Sequence, residues 1–355
     1  MRRGSALLLI LLVGCSASPQ GDGENSTGTS DDTAHTIEGA SYSILWVGDT
    51  MLADAAQDAL DEHGYDYPFQ RLAGFIDADF SIGNAECPIT LRTAPYYPDQ
   101  TWSYHAHPAA AAALADVGFD AMSLANNHLM DRGPEGVHDT LTHLAAAGIT
   151  GFGAGMNAGE AAAPLWIETP DGVIAVIGMT ESSSRIPQAT DPEGVGAHTF
   201  SPERITASRD AALLAGARWV VAFVHWGNNY DYVEPEQREL AGQLVDAGYD
   251  LVVGHGAHVP QVVEMLDGVP ILYSLGNFVF GTPGRFDAEF PGRGLMATTL
   301  FGPDGLHRVE LRCILTDNDD VRFQPRPCSF EQAAAVFGAL GSPVQLEGDV
   351  GVLEL

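Results

Sequence analysis

The run WVVAFVHWG, from Trp219 to Gly227, sets six apolar residues, most of them β-branched or aromatic, directly before a histidine. With no polar alternation along it, such a run fits a strand buried on both faces, and the polar group at its end is delivered to the rim of the sheet. The same arrangement recurs along the chain. Tyr42 to Val47 precede Gly48-Asp49, Ala78 to Ile82 precede Gly83-Asn84-Ala85-Glu86, and Ala121 to Ala125 precede Asn126-Asn127-His128. Leu251 to Val253 precede Gly254-His255, and Ile271 to Leu275 precede Gly276-Asn277. One run ending in a histidine says little, whereas a series ending in potential ligands implies convergence on one rim.

Between these runs lie helical stretches, Pro108 to Val117, Pro134 to Ala147, Pro202 to Ala215 and Pro235 to Ala247, each with a proline near its start. Gly118, Gly148, Gly216 and Gly248 follow them as C-terminal caps would. Alternating strands and helices predict an α/β architecture, in which ligands gather beyond the carboxyl ends of the strands. Leu295 to Leu315 differ, with two alternating runs around Gly302-Pro303-Asp304-Gly305 that predict an antiparallel hairpin. The tail from Ser329 to Leu355 is expected to add a short helix and a terminal strand.

The 355 residues allow one large or two modest domains. A formal charge of −31, from 16 Lys+Arg against 47 Asp+Glu, repels phosphate backbones and argues against a nucleic-acid partner. The first fifteen residues read as an export signal: Arg2 and Arg3, then the apolar Ala6 to Val13, too short for a lasting membrane span, then Gly14 before Cys15. LVGC, Leu12 to Cys15, resembles the lipobox of bacterial lipoproteins, which implies lipidation of Cys15 and a membrane attachment through that lipid. Ser16 is not the aspartate associated with inner-membrane retention, which tilts the expectation toward an outer membrane. Residues 16–41 are mostly Ser, Thr, Gly, Asp and Glu with Ile37 the one large aliphatic, too polar to order themselves, and read as an acidic tether. One domain is expected over 42–355, with the motifs within 43–280 and the hairpin and tail over 294–355. Cys313 and Cys328 could pair around the loop Asp317 to Pro327, leaving Cys87 over.

The rim collects Asp49, Glu86, Asn127, His128, His225, His255 and His258. Carboxylates, an amide and imidazoles suit Mn, Fe or Zn, one ion or two, and no cysteine-rich structural zinc spacing is present. Two metals about 3.5–4 Å apart would clamp a phosphoryl group and turn bound water into a nucleophile, while a neighbouring histidine protonates the leaving oxygen. Each element alone has a plainer reading. Gly48-Asp49 could be a turn, Gly83 to Glu86 a loop, His225 a core histidine, and His255 and His258 caps of the following segment.

The series Gly48-Asp49-Thr50-Met51-Leu52, Gly83-Asn84-Ala85-Glu86, Ser123 to His128, His225-Trp226-Gly227, Gly254-His255-Gly256-Ala257-His258 and Tyr273 to Phe278 resembles the bacterial capsule-synthesis CapA family, linked to poly-gamma-glutamate production. The match in order and spacing covers about Ser43 to Phe280. That family is similar in fold to calcineurin-like metallophosphoesterases, so the resemblance implies a β-sandwich flanked by helices, four layers α/β/β/α. It further implies Asp49 on one metal, Glu86 where those enzymes bridge the metals with an aspartate, Asn127 and His225 on the second metal, His128 as general acid, and His255 with His258 as the closing pair. Two departures stand out. Met51 occupies the place of the histidine in the usual Asp-x-His, and Gly256 with Ala257 replace the inner residues of Gly-His-His-Pro-His. The resemblance implies a role in assembling poly-gamma-glutamate or another capsule polymer through a metal-dependent hydrolase-type site, acting on an anionic cell-surface polymer or a phosphoester, with membrane capsule-synthesis subunits as partners. A non-catalytic scaffold or transport component holding polymer in the same cleft is the alternative, favoured by the missing histidine.

Other groups have structural expectations. His105 and His107 could reach the rim but read first as structural, and His138 with His143 read as surface residues. Arg71, Arg92, Arg132, Arg185, Arg285 and Arg293 are among the few cations, and Arg132, just after Asn-Asn-His, reads as a salt bridge or as a helper for an anionic substrate.

Overall fold

The computed structural model describes residues 39–181 and 194–355. The export segment, Cys15, almost all of the 16–41 tether and Arg185 lie outside the described residues. The described part belongs to a single compact unit beginning at Glu38.

Two sheets carry the fold. From edge to edge the first runs Gln345–Glu347, Val350–Glu354, Gly305–Leu315, Arg293–Gly302, Tyr42–Met51, Phe80–Ala85, Ala121–Ser123 and Thr150–Phe152. Asn277–Phe280 joins it beside Tyr42–Met51, and Arg326–Pro327 beside Gly305–Leu315. The second runs Val263–Leu266, Val269–Leu272, Leu251–His255, Trp219–His225, Gly172–Thr180 and Leu165–Thr169. Strands with a helix between them pair parallel, as Trp219–His225 does with Leu251–His255, while the tight hairpins pair antiparallel.

The continuous apolar runs are explained by layers. Trp219, Val221 and Phe223 meet Ile44, Trp46 and Ile82 between the sheets. Their neighbours Val220, Ala222 and Val224 instead meet Ile205 and Ala212 of the helix Pro202–Leu214, and Ala241 and Leu244 of Pro235–Ala247. On the opposite side Leu45 and Val47 pack with Leu60, Leu114, Val137 and Leu144 from the helices Gln57–His63, Ala109–Asp116 and Gly133–Ala146. The order is thus helix, sheet, sheet, helix, the expected four-layer α/β/β/α sandwich. Each large side chain buried between the sheets contributes about 1.5–3 kcal/mol. Trp46 illustrates the fit: its ring lies 5.7 Å from that of Phe223 and its indole N–H donates to Thr299 Oγ1 at 2.8 Å.

The helix boundaries follow the proline and glycine signals. Gly248 caps its helix in the left-handed region, and Gly118, Gly148 and Gly216 also take positive φ just beyond theirs. The hairpin turns between the paired Gly302 and Gly305, the tail gives the helix Phe330–Ala339 and the strand Val350–Glu354, and Cys313 is joined to Cys328. Two expectations change. The strand near Ile271 ends at Leu272, because Leu275 ties the sheets together, its N–H donating to Gly254 and its carbonyl accepting from Leu295. The hairpin strands Leu165–Thr169 and Gly172–Thr180 supply an edge of the second sheet that the runs ending in polar groups do not include.

Candidate metal centre

The carboxyl ends of the two sheets meet, and parallel register levels their polar residues. Asp49, in Tyr42–Met51, lies opposite both Asn84 and Asn277 in the flanking strands. His225 and His255, last residues of their strands, pair directly. Gly48 is required here, since a Cβ on it would fall 1.9 Å from the Gly276 carbonyl oxygen. That close approach lets the Asp49 N–H donate to the same oxygen at 3.1 Å and fixes the carboxylate at the junction.

Asp49 is fully buried and central. Its Oδ1 lies 3.1 Å from His255 Nδ1 and accepts from Asn84 Nδ2 at 3.0 Å. Its Oδ2 lies 3.2 Å from His258 Nδ1 and accepts from the Gly256 N–H at 3.1 Å. His225 Nδ1 stands 3.2 Å from His255 Nδ1, 3.6 Å from Glu86 Oε2 and 3.9 Å from Asp49 Oδ1. One ligand atom each from Asp49, His225 and His255 falls within a mutual 4.8 Å.

Glu86 is also fully buried, and its Oε2 accepts from Asn84 Nδ2. Burial, reinforced by the Asp49 charge, holds its carboxyl well above the usual range. Burial would raise Asp49 too, but hydrogen bonds from His255 and His258 outweigh it and bring that carboxyl well below its usual range. Burial and the neighbouring His255 push His225 well down, toward the neutral ring that ligates metal. Among the described residues Glu86 Oε1 and His255 Nε2 are buried without a hydrogen-bond partner. Such orphaned acceptors are costly unless something binds them. Carboxylates and imidazoles packed this tightly, with ligand atoms of Asp49, His225 and His255 within reach of one another, therefore fit a divalent cation.

The remaining expected positions divide. His128 is half-buried, its Nδ1 2.8 Å from Asp131 Oδ2 and its ring 4.8 Å from that of Tyr104. Asn127 is exposed and makes no side-chain hydrogen bond among the described residues, whereas Asn126 is buried and donates to Asn84 Oδ1 and the Ala85 carbonyl. Met51 packs into the helix-side core and offers no ligand. Gly256 adopts φ +105° beneath Trp226, and Ala257 accepts from the Tyr230 N–H at 2.8 Å, so the altered closing motif still presents both histidines. Asn84, Asn277 and Asp131 were not among the expected site residues. Asn84 and Asn277 sit inside the quoted motifs, and Asn277 Oδ1 lies 2.8 Å from His258 Nδ1.

Among the described residues Arg132 forms no ion pair. Its guanidinium is used on the Arg92 and Asp131 carbonyls, Ser103 and His105 Nδ1, clasping the loop over 92–105 to the His128 segment. His107 accepts from the Ala109 N–H at a helix start. His138 is exposed and His143 half-buried.

Residues 43–282 match the family model described as bacterial capsule synthesis protein PGA_cap. The chain is 33% identical over 250 residues to the PGA biosynthesis protein CapA of Bacillus subtilis, covering 67% of this chain and 63% of that one. It is 31% identical over 251 residues to the capsule biosynthesis protein CapA of Bacillus anthracis, covering 68% and 61%. The matched region thus spans a little over three-fifths of those relatives. Among solved structures, a calcineurin-like phosphoesterase of Bacillus subtilis aligns at 13% identity with a TM-score of 0.40, over 82% of this chain and 89% of that one.

Proposed function

The chain belongs to the bacterial capsule synthesis PGA_cap family, and we propose that it is a metal-dependent hydrolase-type component in the synthesis of poly-gamma-glutamate or another cell-surface polymer. The observation that carries this reading is the buried cluster around Asp49, with Glu86 Oε1 and His255 Nε2 unpartnered among the described residues. Asp49, Glu86, His225, His255 and His258 would hold the metal, and Asn127 with His225 would serve a second ion. A bound divalent metal supplies Lewis acidity and an activated water. Asp131 fixes the His128 ring through Nδ1, leaving Nε2 to carry a proton to a leaving oxygen. Asn84 Nδ2 donates to both Asp49 and Glu86, and the Gly256 N–H anchors the Asp49 carboxylate. The substrate on this reading is a phosphoester or an anionic surface polymer. The protein is exported, anchored to the envelope through a lipid on Cys15, and works beside membrane subunits of polymer synthesis, a placement supported by Arg2, Arg3, the apolar segment and Gly14-Cys15.

The test is metal analysis of the purified soluble part, paired with hydrolysis of a chromogenic phosphodiester after loading with Mn, Fe or Zn. We expect bound metal and metal-dependent turnover, with His225→Ala lowering metal content in a folded protein. No metal uptake and no activity would sink the reading. Metal uptake without hydrolysis would favour the scaffold alternative, which the apolar packing of Met51 supports, because one ligand position is lost.

A further inference from the structure

Beyond the metal cluster, Arg285 stands on an aromatic ring that packs against the cluster's His258. Among the described residues only a minority of the arginines meet carboxylates. Arg92 pairs with Asp139, Arg238 with Glu264, and Arg308 with Glu310, Glu347 and Glu354. Arg285 is exposed and, among the described residues, forms no ion pair. Its guanidinium lies instead over the Tyr230 ring, 4.9 Å from the centroid. Tyr230 in turn packs against His258, with ring centroids 5.6 Å apart, and His258 contacts Asp49.

The support under Arg285 is built rather than incidental. Tyr230 adopts φ 59°, a left-handed conformation unfavourable for a bulky residue, held by its N–H on Ala257 and by Phe286 at 5.4 Å on its ring. The acids of the same loop have other partners. Asp287 accepts from the N–H groups of Glu289 and Phe290, and Glu289 accepts from the Tyr232 hydroxyl. Part of the Arg285 guanidinium is used on Tyr230, but its remaining N–H groups pair with no carboxylate among the described residues and can receive an oxyanion, which general attraction in so acidic a chain cannot do.

We propose that Arg285, seated on Tyr230, is the oxyanion-receiving group at the mouth of the metal centre, where it takes a phosphate or carboxylate of the substrate. This rests on the metal-centre reading above and adds the substrate's charge and the residue that meets it.

The test is calorimetric titration of the full chain, with and without Mn, using inorganic phosphate and a γ-linked glutamate oligomer as probes. The comparison includes Arg285→Ala, Arg285→Lys and the distant Arg71→Ala. Arg285→Ala should weaken at least one probe by about tenfold, the loss of one charge-assisted contact, with metal content and thermal unfolding unchanged. Arg285→Lys should restore part of the affinity, and Arg71→Ala none of the loss. A deficit confined to phosphate or to the oligomer identifies which oxyanion is received. Equal affinities in wild type and Arg285→Ala, an equal loss in Arg71→Ala, or no binding of either probe to wild type overturns the proposal. Failure to load metal would count against the metal centre alone, and the Arg285 dependence in that metal-free protein would still decide this inference.

Discussion

The two sheets bring opposite chemistry to the junction they share. The first contributes acids and amides, Asp49, Glu86, Asn84 and Asn277, while the second and its following loop contribute imidazoles, His225, His255 and His258. The halves are also fastened differently. A disulfide between Cys313 and Cys328 ties the first sheet to its C-terminal tail, whereas beside the second, His198 is buried against Ser208 of the helix Pro202–Leu214, its Nε2 2.9 Å from the hydroxyl. The acids lie on one half and the imidazoles on the other, so the cluster is made by closing the sandwich rather than by any local motif.

The most damaging way to break the contrast is Asp49→Ala. It removes the contact common to both halves and leaves the imidazoles without their carboxylate. Metal affinity should fall by more than the roughly 100-fold typical of losing an outer partner, read by metal content after dialysis. Retained metal would mean that the imidazoles suffice.

Next comes acid. Burial, with Arg204 nearby, lowers the His198 pKa from 6.5 to about 4. The unfolded chain therefore gains this proton below about pH 6.5, and the folded chain only near pH 4. Its effect on stability is absent at neutral pH and grows unfavourable as pH falls through that window, to on the order of 3 kcal/mol. Unfolding midpoints from pH 7 to 4 should decline less steeply in His198→Gln. Parallel declines would show that His198 is not the acid-sensitive fastening.

A comparable or smaller effect is expected on the other side. Replacing Cys313 and Cys328 together by alanine should cost about 2–3 kcal/mol, the range for closing a loop of this size. Denaturant unfolding should show this loss at neutral pH with metal binding intact. An unchanged midpoint would remove the disulfide from the list of fastenings.

Much of this was legible in the sequence because two signals are local. Buried strands read as unbroken apolar runs, and helices begin at proline and end at glycine, so Trp219–His225 and Pro235–Ala247 could be drawn from composition alone. What stayed hidden is set by pairing. Nothing local to Val220 and Val221 says which faces a helix and which the other sheet, and nothing in Leu275 announces that it bridges Gly254 and Leu295. Leu165–Thr169 and Gly172–Thr180 carry a visible turn at Pro170-Asp171, and Glu181 follows the second of them, yet they fell outside the pattern of runs read from the sequence. At the centre, histidines and acids announced themselves by chemistry. Asn84 and Asn277 became meaningful only through strand register, and Asp131 only through the turn that returns it to His128.

The contact between Asp49 and His255 joins residues 206 positions apart. Loop closure over such a span carries an entropic cost that only contacts made across the closed sandwich offset. A chain cut short before Leu251 would possess every acid of the centre and only one of its three imidazoles. On the proposed reading, metal uptake would require both sheets to be in place, unlike a small zinc domain whose ion organises the chain around itself.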